Sequence, residues 1–75
     1  MSDIKDVDIN DNNYFGNQLK IYRKMNRLTQ TELAEKLGIK QVSLARYENG
    51  IVTPRKNTIK DFAYKIGIEE SYFTT

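Results

Sequence analysis

Between Thr29 and Gly50 the chain carries the start and stop signals of one helix and the stop of a second with almost nothing between them, and this restricts the fold more than any other feature. Thr29 is a good N-cap, and Glu32 three residues later completes the spacing of a capping box, in which two side chains satisfy amides that a helix start leaves free. Leu33, Ala34 and Leu37 recur at helical steps, and Gly38 is placed to end that helix in the left-handed conformation. Ile39-Lys40 is too short for anything but a tight turn. A second helix over about 41–48 follows, with Leu44 and Tyr47 inward and Asn49-Gly50 as its stop.

The flanks also read as helical. Leu19 and Tyr22, with Phe15 and Met25, recur at three- and four-residue steps, which predicts a helix from about 15 to 26. Pro54 biases Thr53 toward extended backbone, so Ile51 to Pro54 reads as a loop. Ile59, Phe62, Ala63 and Ile66 share a face over about 56–66, and Gly67 stops that helix. A last short helix over about 69–73 would set Ile68 and Phe73 as a plug on the core. The expected fold is all-α, with five helices in a domain spanning 14–75. Residues 1–13 are rich in Asp and Asn, and their isolated Ile4, Val7 and Ile9 match no helical stripe. They read as a flexible acidic arm, because they bury too little apolar surface to offset the entropy of ordering.

Composition narrows the chemistry. The chain has no cysteine and no histidine, which excludes disulfides and thiolate metal sites and removes the commonest metal ligand and general base. With no cluster of carboxylates in a plausible cleft either, neither an enzyme nor a cofactor or metal site is expected. No signal peptide is legible at the start and no apolar run is long enough to cross a bilayer, so a soluble, cytoplasmic protein is expected. The net charge of +2 hides an asymmetry. Residues 1–13 hold Asp3, Asp6, Asp8 and Asp11 against Lys5, whereas the rest of the chain is clearly basic. A basic body suits an anionic partner, nucleic acid first.

Two short helices joined by a tight glycine-containing turn are the helix-turn-helix geometry, in which the second helix enters the DNA major groove. The run from Thr29 to Gly50 resembles the DNA-binding domain of the lambdoid phage repressor, Cro and XRE-type regulator family. The likeness extends from about Gly16 to Phe73, through Leu19, Arg23, Thr29-Gln30, Leu33-Ala34, Gly38, Tyr47-Glu48-Asn49-Gly50, Pro54 and Ile68. It implies a five-helix, lambda-repressor-like domain that binds double-stranded DNA. It also implies that Gln30 contacts a backbone phosphate and supports the first recognition residue, that Asn49 contacts phosphate, and that Arg23 pairs with Glu48. The family usually has Ser or Thr where this chain has Lys40. The cap forgone there is worth about 1 kcal/mol, and a lysine can reach a phosphate instead.

The residues themselves support a division of labour on the second helix. Gln41 and Val42 lie in its first turn and Arg46 one turn further along the exposed face, so these three are the expected base readers. Glutamine can bond adenine in pairs, arginine can bond guanine, and an exposed Val42 methyl can pack on thymine. Ser43 either contacts phosphate or packs small against the preceding helix. Arg55 and Lys56 oppose the dipole at the start of their own helix, a cost that a nearby phosphate would offset. Lys20, Lys24, Arg27, Lys36, Lys60 and Lys65 are assigned mostly to solvated faces. The expected function is a sequence-specific regulator, most simply a repressor, acting as a homodimer on a palindromic operator. Tyr64, Ile68 and Tyr72 are candidates for either the dimer surface or the core. An alternative reading is the antitoxin half of a toxin–antitoxin pair, with the arm 1–13 as its toxin-binding segment.

Overall fold

The structure, a computed structural model, describes residues 13–74. Four α-helices follow one another: α1 (Tyr14–Met25), α2 (Gln30–Leu37), α3 (Gln41–Glu48) and α4 (Lys56–Ile66). A single 3-10 turn, Glu70–Tyr72, stands where a fifth helix was expected over 69–73. Among the described residues there is no strand, and no helix is long and apolar enough to cross a membrane. The flexible acidic arm expected over 1–13 lies outside the described residues except for Asn13.

Local chemistry sets most helix ends. At α2 the Glu32 amide donates to Thr29 Oγ1 at 3.1 Å, and the Thr29 amide donates to Glu32 Oε1 at 2.8 Å. This reciprocal box is the one that the Thr29-x-x-Glu32 spacing predicts. At its other end Gly38 turns left-handed, with φ 74°. Its amide donates to the Glu35 carbonyl and that of Ile39 to Ala34, so two otherwise open carbonyls are closed. The end of α1 has the same pattern with a different residue: Arg27 holds φ 57°. For a residue with a Cβ that conformation costs about 1–2 kcal/mol.

The core collects one face from each helix. Leu19 of α1, Leu33 and Leu37 of α2, and Leu44 of α3 are fully buried, joined by Phe62 and Ala63 of α4 and by Phe73. Each large side chain removed from water in this way contributes about 1.5–3 kcal/mol. Phe15 lies at the centre of an aromatic group, with ring centroids 4.9 Å from Phe73, 5.9 Å from Tyr47 and 6.2 Å from Phe62. Phe73 thereby closes the core as a plug, although the turn before it is shorter than a helix. Ile68 packs on the same cluster but is only half-buried.

One placement differs from the sequence reading. Met25 does not extend the α1 stripe: it is 76% exposed, because the helix ends there and the chain turns away at Asn26-Arg27. Of the residues left open between dimer surface and core, Tyr64 is exposed, whereas Tyr72 is half-buried against the core. Close approach of α1 to the end of α3 depends on Gly16. A Cβ there would collide with the Tyr47 carbonyl and with the Asn13 side chain.

Candidate nucleic-acid interface

In α3, Leu44 and Glu48 stand one turn apart and point into the molecule. Val42, Arg46 and Asn49 follow at i, i+4 and i+7 and so form the opposite, outward stripe. Val42 is 50% exposed, and Arg46 and Asn49 are exposed as well. Gln41 lies to one side of that stripe, toward α2, while Ser43 is half-buried on the other side. The outward face thus carries an apolar group, a cation and an amide within two helical turns.

Glu48 organises the inner side. It is 1% exposed, and a carboxylate removed from water this far costs several kcal/mol unless its charge and lone pairs are met. Arg23 reaches it from α1 with two donors, Nε to Oε2 at 2.8 Å and Nη2 to Oε1 at 3.1 Å. A third N–H of Arg23, on Nη1, donates to the Leu28 carbonyl at 3.2 Å and ties the pair to the α1–α2 connection. Gln30 supplies another donor to the carboxylate, Nε2 to Oε1 at 3.1 Å.

That last bond orients a chain of amides. A carboxylate can only accept, so Gln30 must turn its NH2 toward Glu48 and its oxygen away. The oxygen then accepts from Gln41 Nε2 at 2.6 Å. Among the described residues Gln41 is left with one free N–H and a free carbonyl oxygen, a donor and an acceptor side by side. Among the same residues Gln30 also keeps one side-chain N–H free. The polarity at the start of α3 is therefore set by a buried charge at its end, through a side chain of α2.

The remaining sites form the rim of this face. Lys40 occupies the cap position of α3 with extended backbone and makes no side-chain cap bond, so the first amides of α3 have no side-chain partner there. Arg55 and Lys56 stand in the same relation to α4, at its cap and first residue, with no cap bond either. All three are exposed, as is Asn49 at the end of α3. Among the described residues the ion pairs are Arg23 with Glu48 and Lys65 with Asp61, so none of Lys40, Arg46, Arg55 or Lys56 is neutralised by a carboxylate there.

Two residues matter here that the sequence reading placed elsewhere. Asn13, assigned to the arm, donates Nδ2 to the Glu48 carbonyl at 3.1 Å and fills the space over Gly16 and Gly50. An Asn directly before a helix whose third residue is glycine was the available signal. Lys65, assigned to a solvated face, donates Nζ to the Leu37 carbonyl at 3.1 Å and bonds Asp61 one turn back, bracing the end of α2 from α4. Its i, i+4 spacing from Asp61 is visible in the sequence; the tie to α2 is not.

Comparison with known proteins agrees with this geometry. Residues 19–73 match the helix-turn-helix family HTH_3. The antitoxin HipB of Escherichia coli K12 is 41% identical over 46 residues, 61% of this chain and 49% of that protein. HipB of Escherichia coli O6:H1 is 48% identical over 33 residues, 44% of this chain and 35% of that protein. An HTH_3 family transcriptional regulator from Vibrio cholerae superposes with a TM-score of 0.75 at 27% identity, covering 83% of this chain and 35% of that one. The matches therefore span half or less of each relative's length. With the family match running from the middle of α1 to the plug residue Phe73, the chain belongs to the HTH_3 helix-turn-helix family, with α2 and α3 as its paired helices.

Proposed function

We propose that this protein is a sequence-specific regulator of transcription that binds double-stranded DNA, with α3 in the major groove. The observation that carries the reading is the oriented chain Arg23–Glu48–Gln30–Gln41. It leaves Gln41 with the adjacent acceptor and donor that match adenine N6 and N7. Arg46 is the guanine reader and Val42 the contact for a thymine methyl, both on the outward stripe of α3. Gln30, through its free N–H, acts with Lys40, Ser43, Asn49, Arg55 and Lys56 on phosphates, which fix register without reading sequence. One recognition helix covers few base pairs, so two copies on a palindromic operator are needed for useful specificity, and repression follows where the site overlaps a promoter.

A second reading shares the same DNA face. The two HipB relatives are named as antitoxins, which favours a protein that binds DNA and also holds a toxin. Selection of binding sites from random duplexes at about 0.15 M salt tests the first reading. An inverted repeat with a conserved adenine in each half-site is the expected result, and weak binding without enrichment would overturn it. Co-purification of a partner that leaves this selected sequence unchanged would support the antitoxin reading.

A further inference from the structure

Among the described residues the four α-helices end in the same way. The backbone turns left-handed at Arg27, Gly38, Gly50 and Gly67, with φ of 57°, 74°, 75° and 76°. In each case the following residue, Leu28, Ile39, Ile51 or Ile68, donates its amide to the carbonyl five residues back, at 2.9 to 3.0 Å. Three of the four ends use glycine, the residue that takes this conformation without steric penalty. The fourth uses a long, exposed cation. Asn26, a type that tolerates the left-handed region, stands one place too early and donates its side chain to the Tyr22 carbonyl at 2.9 Å instead.

Local structure therefore favours a glycine at position 27, and among the described residues nothing favours arginine. Among the described residues no carboxylate pairs with Arg27. Attraction to the α1 dipole is a weak reason, because Arg23 and Lys24 already occupy the last turn of that helix. An unfavourable backbone angle with no return among the described residues points to a role in binding. The position indicates which role. The α1–α2 connection that carries Arg27 leads through the cap Thr29 to Gln30, at the edge of the face assigned to DNA.

We propose that Arg27 is a further phosphate-binding residue, extending the DNA interface from α2 and α3 onto the α1–α2 turn. A guanidinium suits this because its donors match the spacing of phosphate oxygens and it stays charged at any working pH. The inference rests on the DNA-binding reading, and the test separates the two. Affinity for a mixed-sequence duplex is measured across a salt series for the wild type, R27G, R27Q and R27K, together with the melting temperature of each. Because phosphate contacts do not depend on sequence, no operator is needed.

R27Q keeps the Cβ and the strained angle but loses the charge. It is expected to melt with the wild type and to show a salt slope smaller by about 0.9. R27G is expected to lose the same slope while melting about 4 °C or more higher, a more stable protein that binds DNA less well. R27K is expected to keep both properties. An R27Q protein with wild-type slope and affinity would overturn the proposal while leaving the DNA-binding reading intact. A wild-type protein with no salt-dependent affinity for any duplex would overturn both.

Discussion

The paired helices α2 and α3 have the same length, eight residues, and end alike at a left-handed glycine, but their starts are held differently. α2 is closed locally at both ends, by the Thr29–Glu32 box at its start and by left-handed Gly38 at its finish, where the Lys65 ammonium of α4 adds a long-range bond. α3 has no side-chain cap, and three of the residues in its first turn and a half, Gln41, Val42 and Arg46, stand in solvent. What secures α3 is its inner face, Leu44 in the core and Glu48 bonded to Arg23 and Gln30. A helix stabilised at its start would have spent there the amides and side chains a ligand needs. By placing the anchoring charge in its last turn, α3 keeps its first turn open and still holds one orientation.

The comparison breaks most readily at the buried pair. Arg23→Ala leaves Glu48 stranded and should cost about 3–5 kcal/mol in denaturant unfolding, with much of the loss recovered when Glu48 is also replaced by leucine. A cost below about 1 kcal/mol would mean that α3 is not anchored through this carboxylate. Next in size is Arg46→Ala, on the open face. Stability should stay near wild type while operator affinity falls by about 1–3 kcal/mol and preference relaxes at one base pair. Equal losses on matched and mismatched sites would place Arg46 on phosphate instead.

The caps sharpen the contrast further. Thr29→Ala should lower stability by about 1 kcal/mol by opening the α2 box, as measured by thermal melting. Lys40→Ser runs the experiment in reverse, giving α3 the cap it lacks. The unfolding free energy should rise by up to about 1 kcal/mol. The salt slope of DNA binding should meanwhile drop by about one as a phosphate contact is lost. A Lys40→Ser protein that is more stable and binds DNA with an unchanged slope would remove Lys40 from the interface.

Legibility followed the range of the interactions. The spans of α2, α3 and α4 could be read because their stops, Gly38, Gly50 and Gly67, and their inward stripes are local patterns. The last element was misjudged in kind. Ile68 and Phe73 do pack on the core, but the residues between them form a 3-10 turn, for which hydrophobic spacing gives no separate signal. Met25 fitted the α1 period and is nevertheless exposed, because periodicity does not say where a helix leaves its neighbour. Within the candidate site, the outward stripe of α3 could be inferred by elimination once Leu44 was inward. The bond from Gln30 to Glu48, which orients Gln41, could not be inferred this way.

The sequence alone determined the spans of α2, α3 and α4, since the α2 cap and its amide, and each stop glycine and the carbonyls it closes, lie within a few residues and need no folded partner. Tertiary structure decided which polar groups meet. Arg23 and Glu48 are 25 residues apart, Asn13 and the Glu48 carbonyl 35, and Lys65 and the Leu37 carbonyl 28. Only packing of Leu19, Leu33 and Leu44 into one core brings such partners together, and a buried carboxylate then dictates the polarity of every amide bonded in series with it.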